Sequence, residues 1–144
     1  MSRRAKRHVR PADPPDVSAD FEHDPRASRM ARRVISSLLD DPDDPVADAV
    51  TLVTSELVSN VVQHTADGGH LDAWDPRPDV PLVVEVSDRD RAAPAPRTPD
   101  VDGGRGMHIV DTLADDWGVE RTEHGKVIWA EFDRSKATDR RPPR

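Results

Sequence analysis

The chain has 144 residues, with 21 basic and 28 acidic side chains, 14 Pro and no Cys. This length suits one domain with a real core, and the missing Cys excludes a disulfide framework and any thiolate metal site. Setting aside residues 1–10 and 134–144 leaves 11 basic against 27 acidic side chains, a net charge of −16; that excludes nucleic acid as the main partner, because phosphate binding needs a positive surface.

No apolar run approaches the roughly 20 residues needed to cross a bilayer. The basic start MSRRAKRHVR lacks the apolar stretch of a secretory leader. A cytoplasmic protein that does not engage membrane is the expectation. Residues 1–16, basic and then Pro-rich, read as a disordered tail, and residues 134–144 as a second, basic one; residues 17–133 read as a single domain.

Residues 17–23 (VSADFEH) read as a short edge strand. Pro25 then opens a helix running through Leu39, in which Met30, Val34, Ile35 and Leu38 fall at helical spacing. The acidic, Pro-containing run from Asp40 to Pro45 breaks it; Asp43 or Asp44 is placed to cap the next helix, with Pro45 in its first turn. That second helix spans about 46–65, carries Val50, Val53, Leu57, Val58, Val61 and Val62 on one face, and ends at Asp67-Gly68-Gly69.

Strands are predicted at 70–75 and 82–88, joined by a turn at Pro76–Asp79. Residues 89–104 read as a long Pro-, Asp- and Gly-rich loop without periodicity, and loops of that length inside a domain are usually functional or disordered. Arg105 to Leu113 reads as a short helix. Residues 117–121 and 126–132 read as a hairpin turning at Glu123-His124-Gly125, with Trp117 and Trp129 in the core. Short turns between neighbouring strands give an α/β (α+β) two-layer sandwich: a mixed, mostly antiparallel sheet with helices on one face.

Three groups of residues can carry chemistry. Glu56, Asn60 and His64 lie four apart on the second helix and so stack along one stripe. An amide oxygen such as that of Asn60 suits Mg²⁺, and a Glu one turn away can orient or deprotonate an attacking hydroxyl. By spacing alone the stripe reads more readily as the polar edge of an amphipathic helix, since Glu-x-x-x-Asn is common. Asp88 ends the most apolar strand, where its carboxylate can accept from an exocyclic purine amine or simply start a turn. Gly103-Gly104-Arg105-Gly106 precedes a helix, the arrangement that lets backbone N–H groups approach a phosphate, with Arg105 adding charge. It is neither a Walker loop nor a Rossmann turn. His64, His108 and His124 lack metal-ligand spacing, and Ser55, Ser59 and Ser87 lack a His and Asp partner that sequence can justify.

In order along the chain, ELVSN (56–60), VEVSD (84–88), GGRGMHIVDTLADDWGV (103–119) and GKVIWAEF (125–132) resemble the boxes of the GHKL ATPases, the superfamily of gyrase and histidine kinases. SELVSNVVQH and the following pattern look most like the small anti-sigma-factor serine kinases of actinobacterial type. The resemblance covers residues 18–133 and implies a Bergerat-type ATP-binding fold with ATP and Mg²⁺ as cofactors. It implies Glu56 as catalytic base, Asn60 as Mg²⁺ ligand and Asp88 on the adenine amine. It further implies Gly104, Arg105 and Gly106 around the phosphates, with His64, Gly103, Met107 and Lys126 completing the nucleotide site.

The implied reaction is transfer of the γ-phosphate to a serine of an anti-anti-sigma protein, by a serine/threonine-protein kinase that also sequesters a sigma factor and dimerises as its relatives commonly do. The sequence departs from the pattern in three ways. Asp90 stands where the first glycine box has Gly, Lys126-Val127 offers no hydroxyl where the closing strand often has Thr, and the lid lacks a second glycine pair. These departures motivate a second reading, a non-catalytic module that controls its partner by sequestration alone. A histidine-kinase fragment is not expected, because His8 and His23 lie outside any dimerisation helix.

Overall fold

The computed structural model describes residues 8, 10–76, 79–88, 105–123 and 125–137. The element order is β1 (Val17–Phe21), α1 (Ala27–Leu38), α2 (Ala47–His64), β2 (Gly69–Trp74), β3 (Leu82–Asp88), α3 (Arg105–Leu113), β4 (Asp116–Thr122), β5 (Gly125–Phe132) and α4 (Arg134–Ala137). The strands form one sheet in the order β1-β2-β3-β5-β4, and every pairing is antiparallel.

Alternation along each strand divides the sheet into two unlike faces. Leu71, Ala73, Leu82, Val84, Val86, Ile128, Ala130 and Phe132 point to the inner face and pack beneath the helices. Ala27, Ala31 and Ile35 supply the α1 side of this core; Val50, Val53, Leu57, Val58 and Val61 supply the α2 side, and Met107 and Val110 the α3 side. Each fully buried aliphatic side chain here contributes about 1.5–3 kcal/mol relative to exposure. α2 lies at the centre of this layer, touching α1, α3, β2 and β3.

The turns follow from local chemistry. Asp24 Oδ1 accepts from the Arg26 N–H at 2.8 Å ahead of α1. At the start of α2 the capping position is Val46, without a side-chain cap, and Asp44 serves from two residues upstream by accepting the Val46 N–H at 3.1 Å. α2 ends as Thr65 becomes extended, and Gly68, at φ +73°, swings the chain into β2. A Cβ at Gly68 would overlap the Phe21 carbonyl oxygen, so both the conformation and the space demand glycine.

The chain ends depart from the sequence expectation. His8 and residues 10–16, expected in a disordered tail, lie against the outer face of the sheet. Asp16 N–H donates to the Ala73 carbonyl at 2.8 Å, and Trp74 Nε1–H donates to the Asp13 carbonyl at 2.8 Å. Trp129 is buried, at 1% exposure, but beneath this segment rather than in the inner core. Residues 134–137, also expected in a tail, form α4. Arg134 holds it by donating to Asp44 through Nε and Nη2 (3.1 and 2.8 Å) and to Asp75 through Nη1 and Nη2 (2.8 and 3.0 Å). Local composition could not reveal either arrangement, because each depends on partners far away in the chain.

Candidate functional site

The site is assembled from α2, the end of β3, the start of β5 and the start of α3. Glu56 and Asn60 are half-buried on α2, whereas His64, the last residue of the helix, is exposed. Their neighbours Val53, Leu57 and Val61 sit fully in the core, which fixes the rotation of α2 and leaves the stripe at the margin of the packed layer. Among the described residues no hydrogen bond or ion pair engages the side chains of Glu56, Asn60 or His64. A half-buried amide and carboxylate in this condition keep their polar atoms available to a ligand.

Asp88 continues the inner-facing series Leu82, Val84 and Val86, so it emerges on the helix side of the sheet. Its Oδ1 accepts from the Lys126 backbone N–H at 3.3 Å. A Cβ at Gly125 would overlap this same oxygen, so the glycine makes the space the carboxylate occupies. The carboxylate is thereby tied across β3 and β5 at the mouth of the layer. Lys126, half-exposed, pairs with Arg121 of β4.

Met107 is buried at 3% exposure in the first turn of α3, against the α2 core. Arg105 and Gly106 open α3. Gly103, Gly104 and Asp90 lie outside the described residues, as do the rest of the 89–104 loop and His124. Glu56 and Asn60 thus stand on α2, Asp88 at the end of β3, Met107 in α3 and Lys126 in β5, with Asp88 bonded to the Lys126 backbone.

Sequence reasoning did not identify Gly125 as part of this site; it read only as a turn glycine. The missing signal is a long-range one, since the carboxylate that needs the space lies in another strand.

A second cluster lies on the outer face. His70 Nδ1 is 2.7 Å from Asp20 Oδ1, and its Nε2 is 2.9 Å from Asp72 Oδ1 and 2.9 Å from Ser18 Oγ. The order Ser18–His70–Asp20 imitates a nucleophile relay, but its electrostatics differ. Burial alone would lower the His70 pKa, yet hydrogen bonds to Asp20 and Asp72 raise it above the ordinary value. With a carboxylate accepting from each ring nitrogen, the protonated ring has no lone pair to take the Ser18 proton. Among the described residues no group of His, Asp and Glu is arranged to hold a metal ion.

With this geometry in hand, comparison with known proteins places the chain. The family model of the histidine kinase-like ATPase domain matches residues 21–132. Among solved structures, the fold is similar to the histidine kinase domain from the Erythrobacter litoralis EL346 blue-light activated histidine kinase, with a TM-score of 0.54 and 18% identity. The match covers 83% of this chain but 64% of that one, less than two thirds of its length. No curated protein matches. Among the described residues no helix is long and apolar enough to cross a membrane.

Proposed function

Because the chain belongs to the histidine kinase-like ATPase domain family, we propose that it is an ATP-binding regulatory protein of the anti-sigma-factor kinase type, acting in the cytoplasm. In this reading it transfers the ATP γ-phosphate to a serine of an anti-anti-sigma protein and sequesters a sigma factor. The observation that carries the reading is the pair Glu56 and Asn60, one turn apart on the central helix, half-buried and unengaged among the described residues.

The residues present fit the nucleotide and its metal. The space left by Gly125 seats the Asp88 carboxylate, an acceptor for the exocyclic amine of adenine. Asn60 would hold Mg²⁺ through its amide oxygen, and the metal would offset charge on the phosphates. The Glu56 carboxylate is the base that takes the proton from the attacking seryl hydroxyl. By the family resemblance, Gly103, Gly104, Arg105 and Gly106 would supply backbone N–H groups and a cation for the phosphates. His64, Met107 and Lys126 complete the nucleotide site.

The test is phosphotransfer from Mg-ATP to a folded anti-anti-sigma protein, read as phosphoserine by mass spectrometry. Glu56→Ala should slow transfer by about a hundredfold or more while leaving ATP affinity nearly intact, since a general base acts on the barrier rather than on ground-state binding. Asn60→Ala should weaken Mg-ATP binding itself. Wild-type transfer rates in the Glu56 variant would remove the proposed role.

Asp90, in place of the usual Gly, favours a second reading in which the module binds its partner without turnover. Under that reading calorimetry finds ATP bound, or no heat at millimolar nucleotide, and no phosphoserine forms with either chain.

A further inference from the structure

The outer face of the sheet carries a cluster of buried carboxylates and indoles. Glu85 and Asp72 are buried there, at 5% and 7% exposure, between Trp74 and Trp129. Two hydrogen-bond donors two positions apart, an imidazole and a guanidinium, fill it. His8 stacks on Trp129, with ring centroids 4.6 Å apart and planes within 12°, and its Nε2 donates to Glu85 Oε2 at 2.6 Å. Arg10 Nε donates to Glu85 Oε1 at 3.0 Å, Nη2 lies 3.6 Å from Asp72 Oδ2, and the guanidinium stands 5.6 Å over the Trp74 ring. Glu85 thus divides its two oxygens between two donors, each of which also has its own aromatic ring. Burial raises the Glu85 pKa, but hydrogen bonds from His8 and Arg10 outweigh it and hold the group below the ordinary carboxylate value.

Two features set this arrangement apart from a stabilising strap. The first is its chemistry: a buried ion pair contributes little more than a well-packed apolar pair of similar size, and its benefit is selectivity for a partner of complementary charge. The second is its attachment. Among the described residues, the backbone-to-backbone bond joining this segment to the sheet is the one from Asp16 to Ala73; the other anchors are side chains. The Arg10 side chain also stays 62% exposed. A segment held by side chains and partly open to water can be exchanged.

We propose that this face is a docking site for a peptide segment of a partner protein that carries a His and an Arg two positions apart, and that His8 and Arg10 mask it in the isolated chain. Charge complementarity selects the occupant: two desolvated carboxylates reject acidic segments, and the flanking indoles favour Arg and His over Lys through stacking. A masked site shows an affinity reduced by the fraction of time it is open.

The test uses the full chain, without nucleotide, so its outcome is separate from the ATP reading. A fluorescent peptide copying residues 6–16 is titrated by anisotropy onto the intact chain and onto His8→Ala/Arg10→Ala. Removing both anchors should tighten binding by about tenfold or more. Adding Glu85→Gln to the open variant, or replacing the His and Arg of the peptide with Ala, should abolish it. Arg10→Ala alone serves if the double variant does not fold, because that side chain is mostly in water. Equal affinity for intact and open chains, absence of binding to a folded open variant, or binding indifferent to Glu85→Gln would each overturn the proposal. So would a concentration-dependent dimer of the intact chain that dissolves in His8→Ala/Arg10→Ala, since the natural occupant would then be a second copy.

Discussion

His70 shows how a single ring between two carboxylates links pH to the edge of the sheet. Its folded-state pKa lies above the ordinary 6.5, because Asp20 and Asp72 together outweigh the burial that lowers it. The native state therefore holds the proton more tightly than the unfolded chain does. The resulting stabilisation is fully present below about pH 6.5 and is lost as pH rises through the folded value. About a third of the ring surface is in water, and Arg10 competes for Asp72, so the effect is held to about 0.5 kcal/mol by solvent screening. Denaturation midpoints should fall slightly between pH 6 and pH 8.5 in the native chain and stay flatter across the same window in His70→Asn. An identical slope in both chains would assign the pH dependence to other groups.

α4 has only four residues, too few to be a stable helix by itself, so its place depends on Arg134. The guanidinium joins the α1–α2 connection, through Asp44, to the end of β2, through Asp75. Both carboxylates are 3% exposed, and the Arg134 pKa is raised by hydrogen bonds to Asp75 and then Asp44. Removing the cation leaves two buried charges without it, so Arg134→Ala should cost about 3 kcal/mol. Arg134→Lys should recover part of that, because an ammonium supplies charge but not the planar fork that reaches both carboxylates. Urea midpoints with unchanged slope check this, and a midpoint unmoved in Arg134→Ala would show that α4 is not part of the cooperative unit. The same residue shows what the sequence could reveal. α2 and β3 were legible because their periodicities are local, and the places of Glu56, Asn60 and Asp88 along those elements follow from them. Arg134 and His8 were not, since their partners lie 90 and 77 residues away and no local pattern encodes them. Gly125 escaped for the same reason, its constraint being the side chain of Asp88.

Across the whole molecule the two faces of the sheet divide the labour. The inner face carries the apolar core, while the outer face collects carboxylates that Arg10 partly neutralises. The net charge is −7 overall, but residues 11–133 carry 11 basic against 27 acidic side chains, a net of −16, so the folded body repels itself. Salt acts on this in opposite directions. Screening relieves repulsion among exposed acids over about 10 Å, and it also weakens exposed ion pairs such as Arg26–Asp24. The pairs of Arg134 are buried and largely escape screening. Relief of repulsion therefore prevails, and raising NaCl from about 10 mM to about 150 mM should raise the melting temperature by a few degrees, as about 1 kcal/mol does for a domain of this size. Thermal melts across that range test the balance. A falling melting temperature would mean that exposed ion pairs, and not the acidic surplus, dominate the electrostatics of the fold.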